Sequence, residues 1–456
     1  MKKLSTKKMW LFAVGQFGWA MLSGLISNWL VYFYQPDAAS QAAGQPLYIP
    51  QGRVILGVFT IIGAITALGR IFDAVTDPWI ASLSDRCKSK AGRRIPFLKW
   101  AALPLAASTV LVFCAPVGRT SGWNAVWLLI FILGYYLAIT AYCTPYNALI
   151  PELGHDQNER LKISTAISLT FILGTAFAYA APVIWGLLEG TLGRVPAMRV
   201  TFMLLAAVAF VCMLVPVFAI REKDYVRSQP TEGTAFSSLA KTFRNREFRV
   251  FVASDIFYWI ALTMFQTGLP FFVTALLGLP ETMSTVYFVA MTALSLVFYP
   301  LVNLLAKKYG KKKLVLTAFL LFAIAFGYTA LLGAGLGFST TVQGFILVAL
   351  AAFPMAIFGI LPQAMVADIS ESDARRTGEN REGMFYAART FAFKLGQSLS
   401  MLIFTALATI GTGSGTGYRV VAATAAALTL LGGIILFFYN EAKINRALQS
   451  PNGEAR

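Results

Sequence analysis

Histidine is almost missing from this chain: His155, in the polar stretch GHDQNER, is the only one among 456 residues. That lack removes Ser-His-Asp and Cys-His nucleophilic arrangements and histidine-ligated metal centres. Cysteine is sparse too. Cys87, Cys114, Cys143 and Cys212 stand far apart with no CxxC or other metal-ligand spacing, and read as unpaired thiols. No GxGD stretch is present, which argues against intramembrane aspartyl hydrolysis. No enzymatic activity and no cofactor are expected. Charge is the last scarcity. Only 13% of residues are charged and 57% are hydrophobic, whereas soluble domains carry about 25% charged residues. With a mean hydropathy of +0.65, the chain reads as a polytopic membrane protein and not as two or three soluble domains.

Apolar stretches long enough to cross about 30 Å of hydrocarbon fall at 9–34, 54–84, 95–116, 122–150, 162–187 and 198–220. A second set falls at 248–278, 283–306, 314–335, 341–368, 382–411 and 417–440. The expected architecture is therefore an all-α membrane protein of twelve transmembrane helices. Residues 1–220 form an N-terminal six-helix bundle, 221–247 a polar linker with room for a short amphipathic helix, and 248–456 a C-terminal bundle with a short tail. The basic start, MKKLSTKKMWLFAV, runs into an apolar stretch too long for a signal peptide and without a small-residue cleavage site, so it is read as the first span, retained. Trp10, Trp100 and Trp123 sit near span ends as interface anchors, and the small residues of SGLIS (23–27) and GTAFAYAA (174–181) predict close helix contacts.

The net charge of +17 belongs to topology. Of the 38 lysines and arginines, Arg53, Arg119, Arg194, Arg199 and Arg419 lie on one side, and Arg70, Arg389 and Lys394 lie within spans. The other 30 share the side that holds both termini, which the positive-inside bias makes cytoplasmic. Nucleic acid is not an expected partner. A monomer in a bacterial inner membrane is expected, with membrane lipids and a small-molecule substrate as its partners. NALIPEL (147–153) and QAMVADI (363–369) repeat a pattern at an offset of 216, which also carries Arg160 onto Arg376. The basic turns DRCKSKAGRR and AKKYGKKK both link the second and third helices of a half. Paired halves of this kind are how many secondary transporters are built.

Charges inside the spans single out the candidate site. Arg70, Asp73 and Asp77 are spaced i, i+3, i+7 and share one helix face, which lipid cannot solvate. Asp255 enters with the seventh span, and the eleventh carries Arg389 and Lys394. Three positive and three negative groups can neutralise one another across the halves. Two carboxylates on one face can ligate Na⁺ through hard oxygens, or one can carry a proton. Lys394 can compete with that cation. A structural ion-pair network is the alternative, and it weighs most for Asp255. Gln16, Trp19, Tyr258 and Trp259 are placed to line a central cavity.

At DAVTDPWIASLSDRCKSKAGRRIP, TPYNALIPELGHDQNER and MVADISESDARRTGENREGMFYAARTFAFKLGQ the chain resembles the glycoside–pentoside–hexuronide:cation symporters of the major facilitator superfamily, of which the melibiose permease is the best-known member. The resemblance implies two six-helix bundles, alternating access and cation-coupled uptake. It places Asp73, Asp77 and Thr140 at the cation site and matches Lys394 to an eleventh-helix lysine. An oxygen-rich site with Thr140 favours Na⁺, or Li⁺ as a surrogate, over H⁺ alone. The sugar side departs from the melibiose permease. Phe17 and Cys143 stand where it has carboxylates, Asn147 where it has a tryptophan, and Ser168 where it has an arginine. Two cargoes follow. One is a glycoside, sugar or sugar acid held by residues such as Gln16, Asn147 and Lys394. The other is an amphipathic lysolipid, since the wider family is similar to the vertebrate sodium-dependent lysophosphatidylcholine transporter.

Overall fold

The computed structural model describes residues 4–225 and 242–449, apart from 90, 155–156, 336, 379–381 and 412. His155 and most of the expected linker, including the place for its amphipathic helix, lie outside the described residues. The chain divides into two compact units, Met1–Glu232 and Gly233–Arg456, and the division falls inside the predicted 221–247 linker.

The first unit is built from α1 (Thr6–Tyr34), α2 (Ile61–Arg86), α3 (Ile95–Val112), α4 (Gly122–Leu153), α5 (Gln157–Tyr179, resuming after Ala180 as Ala181–Leu192) and α6 (Arg194–Ala219). The second comprises α7 (Arg246–Phe271, running into a wider turn at Phe272–Leu276), α8 (Thr282–Tyr309), α9 (Lys311–Ala330), α10 (Thr340–Thr377), α11 (Glu382–Leu407), α12 (Thr416–Phe437) and a short α13 (Glu441–Gln449). Helix starts follow the local chemistry of orphan N–H groups. Ser5, Thr60, Ser121, Asn245 and Ser339 each accept a backbone N–H from the first turn that follows.

Eleven helices among the described residues are long and apolar enough to cross a membrane. The twelfth, α2, fits the series by position but carries Arg70, Asp73, Asp77, Asp85 and Arg86. The second span also starts later than the predicted 54. Residues 54–60 form a tight turn in which Ile55 bridges Phe59, Leu56 adopts φ 53° and Gly57 φ 68°, so the backbone reverses before a helix can begin. At the tenth span the helix runs on to Thr377, past the expected 368, and closes on Gly378 in the left-handed region.

The two units repeat the same packing scheme. In the first, the closest pairs are α1–α5, α1–α6, α3–α4, α2–α4 and α3–α6. In the second they are α7–α11, α7–α12, α9–α10, α8–α10 and α9–α12. The predicted small-residue contact is real. A Cβ on Gly24 would lie 2.6 Å from that of Ala178, and one on Gly174 would lie 2.5 Å from the Phe17 carbonyl, so α1 and α5 touch backbone to backbone. Trp10, Trp100 and Trp123 are exposed, as anchors require.

The basic ends are clamped alike. Glu222 accepts the backbone N–H groups of Arg93 and Arg94 (both 2.8 Å) and Ile95 (3.1 Å) at the start of α3. Glu441 does the same for Lys311 (2.7 Å) and Lys312 (3.2 Å) at the start of α9. A carboxylate there satisfies orphan donors and meets the positive end of the helix dipole. The offset of 216 read in the sequence carries Glu152 onto Asp368. Glu152 binds Arg93 (3.2 Å) and Arg94 (3.3 Å), and Asp368 binds Lys311 (2.5 Å).

Candidate cation and substrate sites

Helix α2 turns one face inward and one outward. Asp73 is buried and Arg70 and Asp77 are half-buried, while Ile71, Val75 and Trp79 on the other side are exposed. The register of α2 against α4 is set by Gly69. A Cβ there would come within 2.4 Å of the Tyr136 ring, so only glycine admits this approach. Tyr136 then lies beneath Arg70, with the guanidinium 5.3 Å from the ring centre. One turn further along each helix, Thr140 meets Asp73, and its hydroxyl donates to Asp73 Oδ1 at 2.5 Å. Arg70 also reaches Ser27 Oγ of α1 at 3.4 Å.

Pro78 follows Asp77 directly and has no N–H, so it removes the helical donor that would take the Ala74 carbonyl. Asp73, Asp77, Thr140 and that carbonyl are all oxygen donors. Hard oxygens of this kind suit an alkali cation and not a soft transition metal. Among the described residues no cluster of three or more His, Cys, Asp or Glu side chains is placed to hold a metal ion.

The second unit gathers a different arrangement. Asp255 on α7 is held by Arg389 on α11 through a two-pronged pair, Nε–Oδ2 at 2.7 Å and Nη2–Oδ1 at 3.0 Å. The third nitrogen of Arg389 donates to Gln363 of α10, and the guanidinium stands 5.9 Å from the Phe251 ring. The sequence expectation joined Asp255 to charges across the halves. In the structure this pair closes inside its own unit, because α7 and α11 pack directly on each other. Lys394, five residues on from Arg389, is buried.

The expected substrate residues divide. Gln16 is buried and Trp19 half-buried, and neither Gln16 Oε1 nor Trp19 Nε1 has a hydrogen-bond partner among the described residues. Trp259 stacks on Phe393 at 4.4 Å with its indole N–H likewise unmatched. Tyr258 is buried, its ring stacked 4.2 Å from that of Phe358 on α10. Asn147 is exposed on α4. Phe17 meets Phe177 edge-on at 5.4 Å. The structure adds residues that the sequence did not single out: Asn28, Thr263 and Gln397 also hold buried polar atoms without partners. An uncharged polar residue in an apolar stretch is a faint signal, and only packing shows that its polar atom is left unmatched.

Residues 11–431 match the family described as MFS/sugar transport protein. The chain belongs to that family. It is similar to "Uncharacterized symporter sll1374" of Synechocystis sp., 24% identical and covering 86% of this chain and 83% of the relative. It is also similar to the isoprimeverose transporter of Lactiplantibacillus pentosus, 21% identical over 85% of this chain and 77% of the relative. Among solved structures, the nucleoside transporter NupG (D323A mutant) superposes with a TM-score of 0.67 at 13% identity, covering 95% of this chain and 99% of the other. The fold is that of the major facilitator superfamily, two bundles of six helices, and this is a multi-pass membrane transporter of the glycoside–pentoside–hexuronide:cation symporter type, not an enzyme.

Proposed function

We propose that this chain is a cation-coupled symporter that imports a small glycoside, sugar or sugar acid by alternating access, with Na⁺ as the coupling ion ahead of H⁺. The observation that carries the cation half is the Thr140 hydroxyl lying 2.5 Å from the Asp73 carboxylate, with Asp77 one turn further on. Thr140 now spends its proton on Asp73. When Na⁺ arrives, the hydroxyl can rotate that proton away and present a lone pair, so both groups become ligands without moving the helices. A proton would neutralise one carboxylate without drawing on several hard oxygens together, which is why Na⁺ stands ahead of H⁺.

The sugar half is supported by the unmatched polar atoms. Burying a polar group without a partner costs roughly 1–3 kcal/mol, and such groups persist where a ligand satisfies them. Gln16 and Trp19 in the first unit, and Trp259, Thr263 and Gln397 in the second, each offer donors or acceptors of the kind that hydroxyl groups match, a chemistry that suits a polyol better than an acyl chain. The similarity to a symporter of Synechocystis and to an isoprimeverose transporter agrees with this reading.

The test is uptake into proteoliposomes, with labelled sugars, sugar acids and a lysolipid offered with and without an inward Na⁺ gradient. Sugar uptake stimulated by Na⁺ in the native chain, and lost in Asp77→Asn while unfolding temperature is kept, is the expected result. Unchanged Na⁺ stimulation in that variant would remove Asp77 from the cation site. Uptake of the lysolipid alone would overturn the sugar assignment. Binding offers an independent readout. A ligand at about 100 times its Kd adds about 2.7 kcal/mol to stability, and Na⁺ should deepen the shift given by the cognate sugar.

A further inference from the structure

Between α9 and α12, on the outer surface of the second unit, lies an apolar groove of about 300 Å³. Leu316 and Leu320 of α9 form one wall, Ile434 and Phe438 form the other, and Phe319 and Gly433 make the floor. Gly433 keeps the groove deep, since a Cβ there would stand 3.2 Å from that of Phe319. From Leu430 to Phe437 the groove follows about 10 Å of helix, the length of an acyl-chain segment and far short of a span. Its walls are exposed, with Ile434 at 60% and Phe438 at 62%.

One end of the groove carries charge. Lys312 Nζ donates to the Phe437 carbonyl at 2.7 Å and stands 5.2 Å from the Phe437 ring, at the rim, and Lys313 follows it, exposed on α9. The nearby carboxylates are engaged elsewhere. Asp368 takes Lys311, and Glu441 takes the backbone N–H groups of Lys311 and Lys312. Among the described residues neither Lys312 nor Lys313 has a carboxylate partner. An apolar channel with the Lys312 ammonium at its rim and exposed Lys313 next to it, at the basic end of a membrane helix, complements one class of molecule. We propose that the groove is a specific site for an anionic phospholipid, with one acyl chain along Leu320 and Ile434 and the phosphate held by Lys312 and Lys313.

The experiment uses the full-length purified chain in neutral detergent micelles. Thermal unfolding is followed while phosphatidylglycerol, phosphatidylcholine of the same chain length, or inorganic phosphate is titrated in. Phosphatidylglycerol should raise the unfolding temperature at concentrations at least tenfold below those at which phosphatidylcholine acts, and phosphate alone should do nothing. Lys312→Gln combined with Lys313→Gln should abolish that preference. Ile434→Trp, which fills the groove at an exposed position, should abolish the lipid-dependent shift while leaving the lipid-free unfolding temperature in place. Lys313→Gln alone serves if the double variant loses its fold, and it should weaken the preference by at least threefold. Equal potency of the two lipids, a full effect from free phosphate, or variants that keep the native preference would overturn the proposal. The readout does not involve transport, so it stands apart from the cargo assignment.

Discussion

Asp255 and Arg389 stand 134 residues apart in the chain, and their pairing shows how a single charge in an apolar helix becomes tolerable. Each alone would be a buried ion. Together, with Gln363 accepting from the third nitrogen of Arg389, they neutralise each other. Arg389→Met is therefore expected to leave the Asp255 carboxylate uncompensated and to cost about 3–5 kcal/mol, seen as a lower unfolding temperature. Asp255→Leu combined with Arg389→Met should be more stable than Arg389→Met alone. Additive losses in the double variant would show that the two residues act independently. The aspartates of α2 were legible in sequence because a carboxylate in an apolar stretch is costly and periodic spacing puts both on one face. The partner of Asp255 was not legible, since nothing in a linear pattern ranks Arg389 above Lys394 or Arg70. Thr263 and Gln397 escaped notice because neutral polar residues bear little insertion cost.

At the scale of elements, span positions followed hydropathy, and the departures have local causes. The start of α2 moved from 54 to Ile61 because Val54–Thr60 is apolar yet bent by Leu56 and Gly57 at positive φ. Hydropathy sees composition and not backbone direction. Helix starts carry a further lesson in Glu222 and Glu441, which lie beyond the sixth helix of each unit yet cap the third. Glu222→Ala should leave the N–H groups of Arg93, Arg94 and Ile95 without their acceptor, a loss of about 1–3 kcal/mol, while Glu222→Gln should recover part of it. Calorimetry of the purified chain checks this. An alanine variant that unfolds at the native temperature would mean that water replaces the cap at no cost.

For the whole molecule, the five closest helix pairings of one unit recur in the other, an internal repeat far plainer in structure than in NALIPEL and QAMVADI. The distribution of Lys and Arg leads us to propose that the capped, basic ends face the cytoplasm. In a background with Cys87, Cys114, Cys143 and Cys212 replaced by alanine, a membrane-impermeant maleimide on intact cells should label Arg119→Cys and spare Lys88→Cys. The opposite labelling would invert the orientation.

Sequence alone determined the number and order of the spans, the two halves, the concentration of basic residues at one end, and the inward face of α2 that bears Asp73 and Asp77. These follow from local costs of placing charge in hydrocarbon, which each segment meets by itself. Tertiary structure decided the contacts between segments: Thr140 against Asp73, Arg389 against Asp255, and the groove between α9 and α12. Those depend on where two helices touch, and a missing Cβ at Gly69 or Gly433 sets that contact only when a distant ring, Tyr136 or Phe319, comes to fill or line the space.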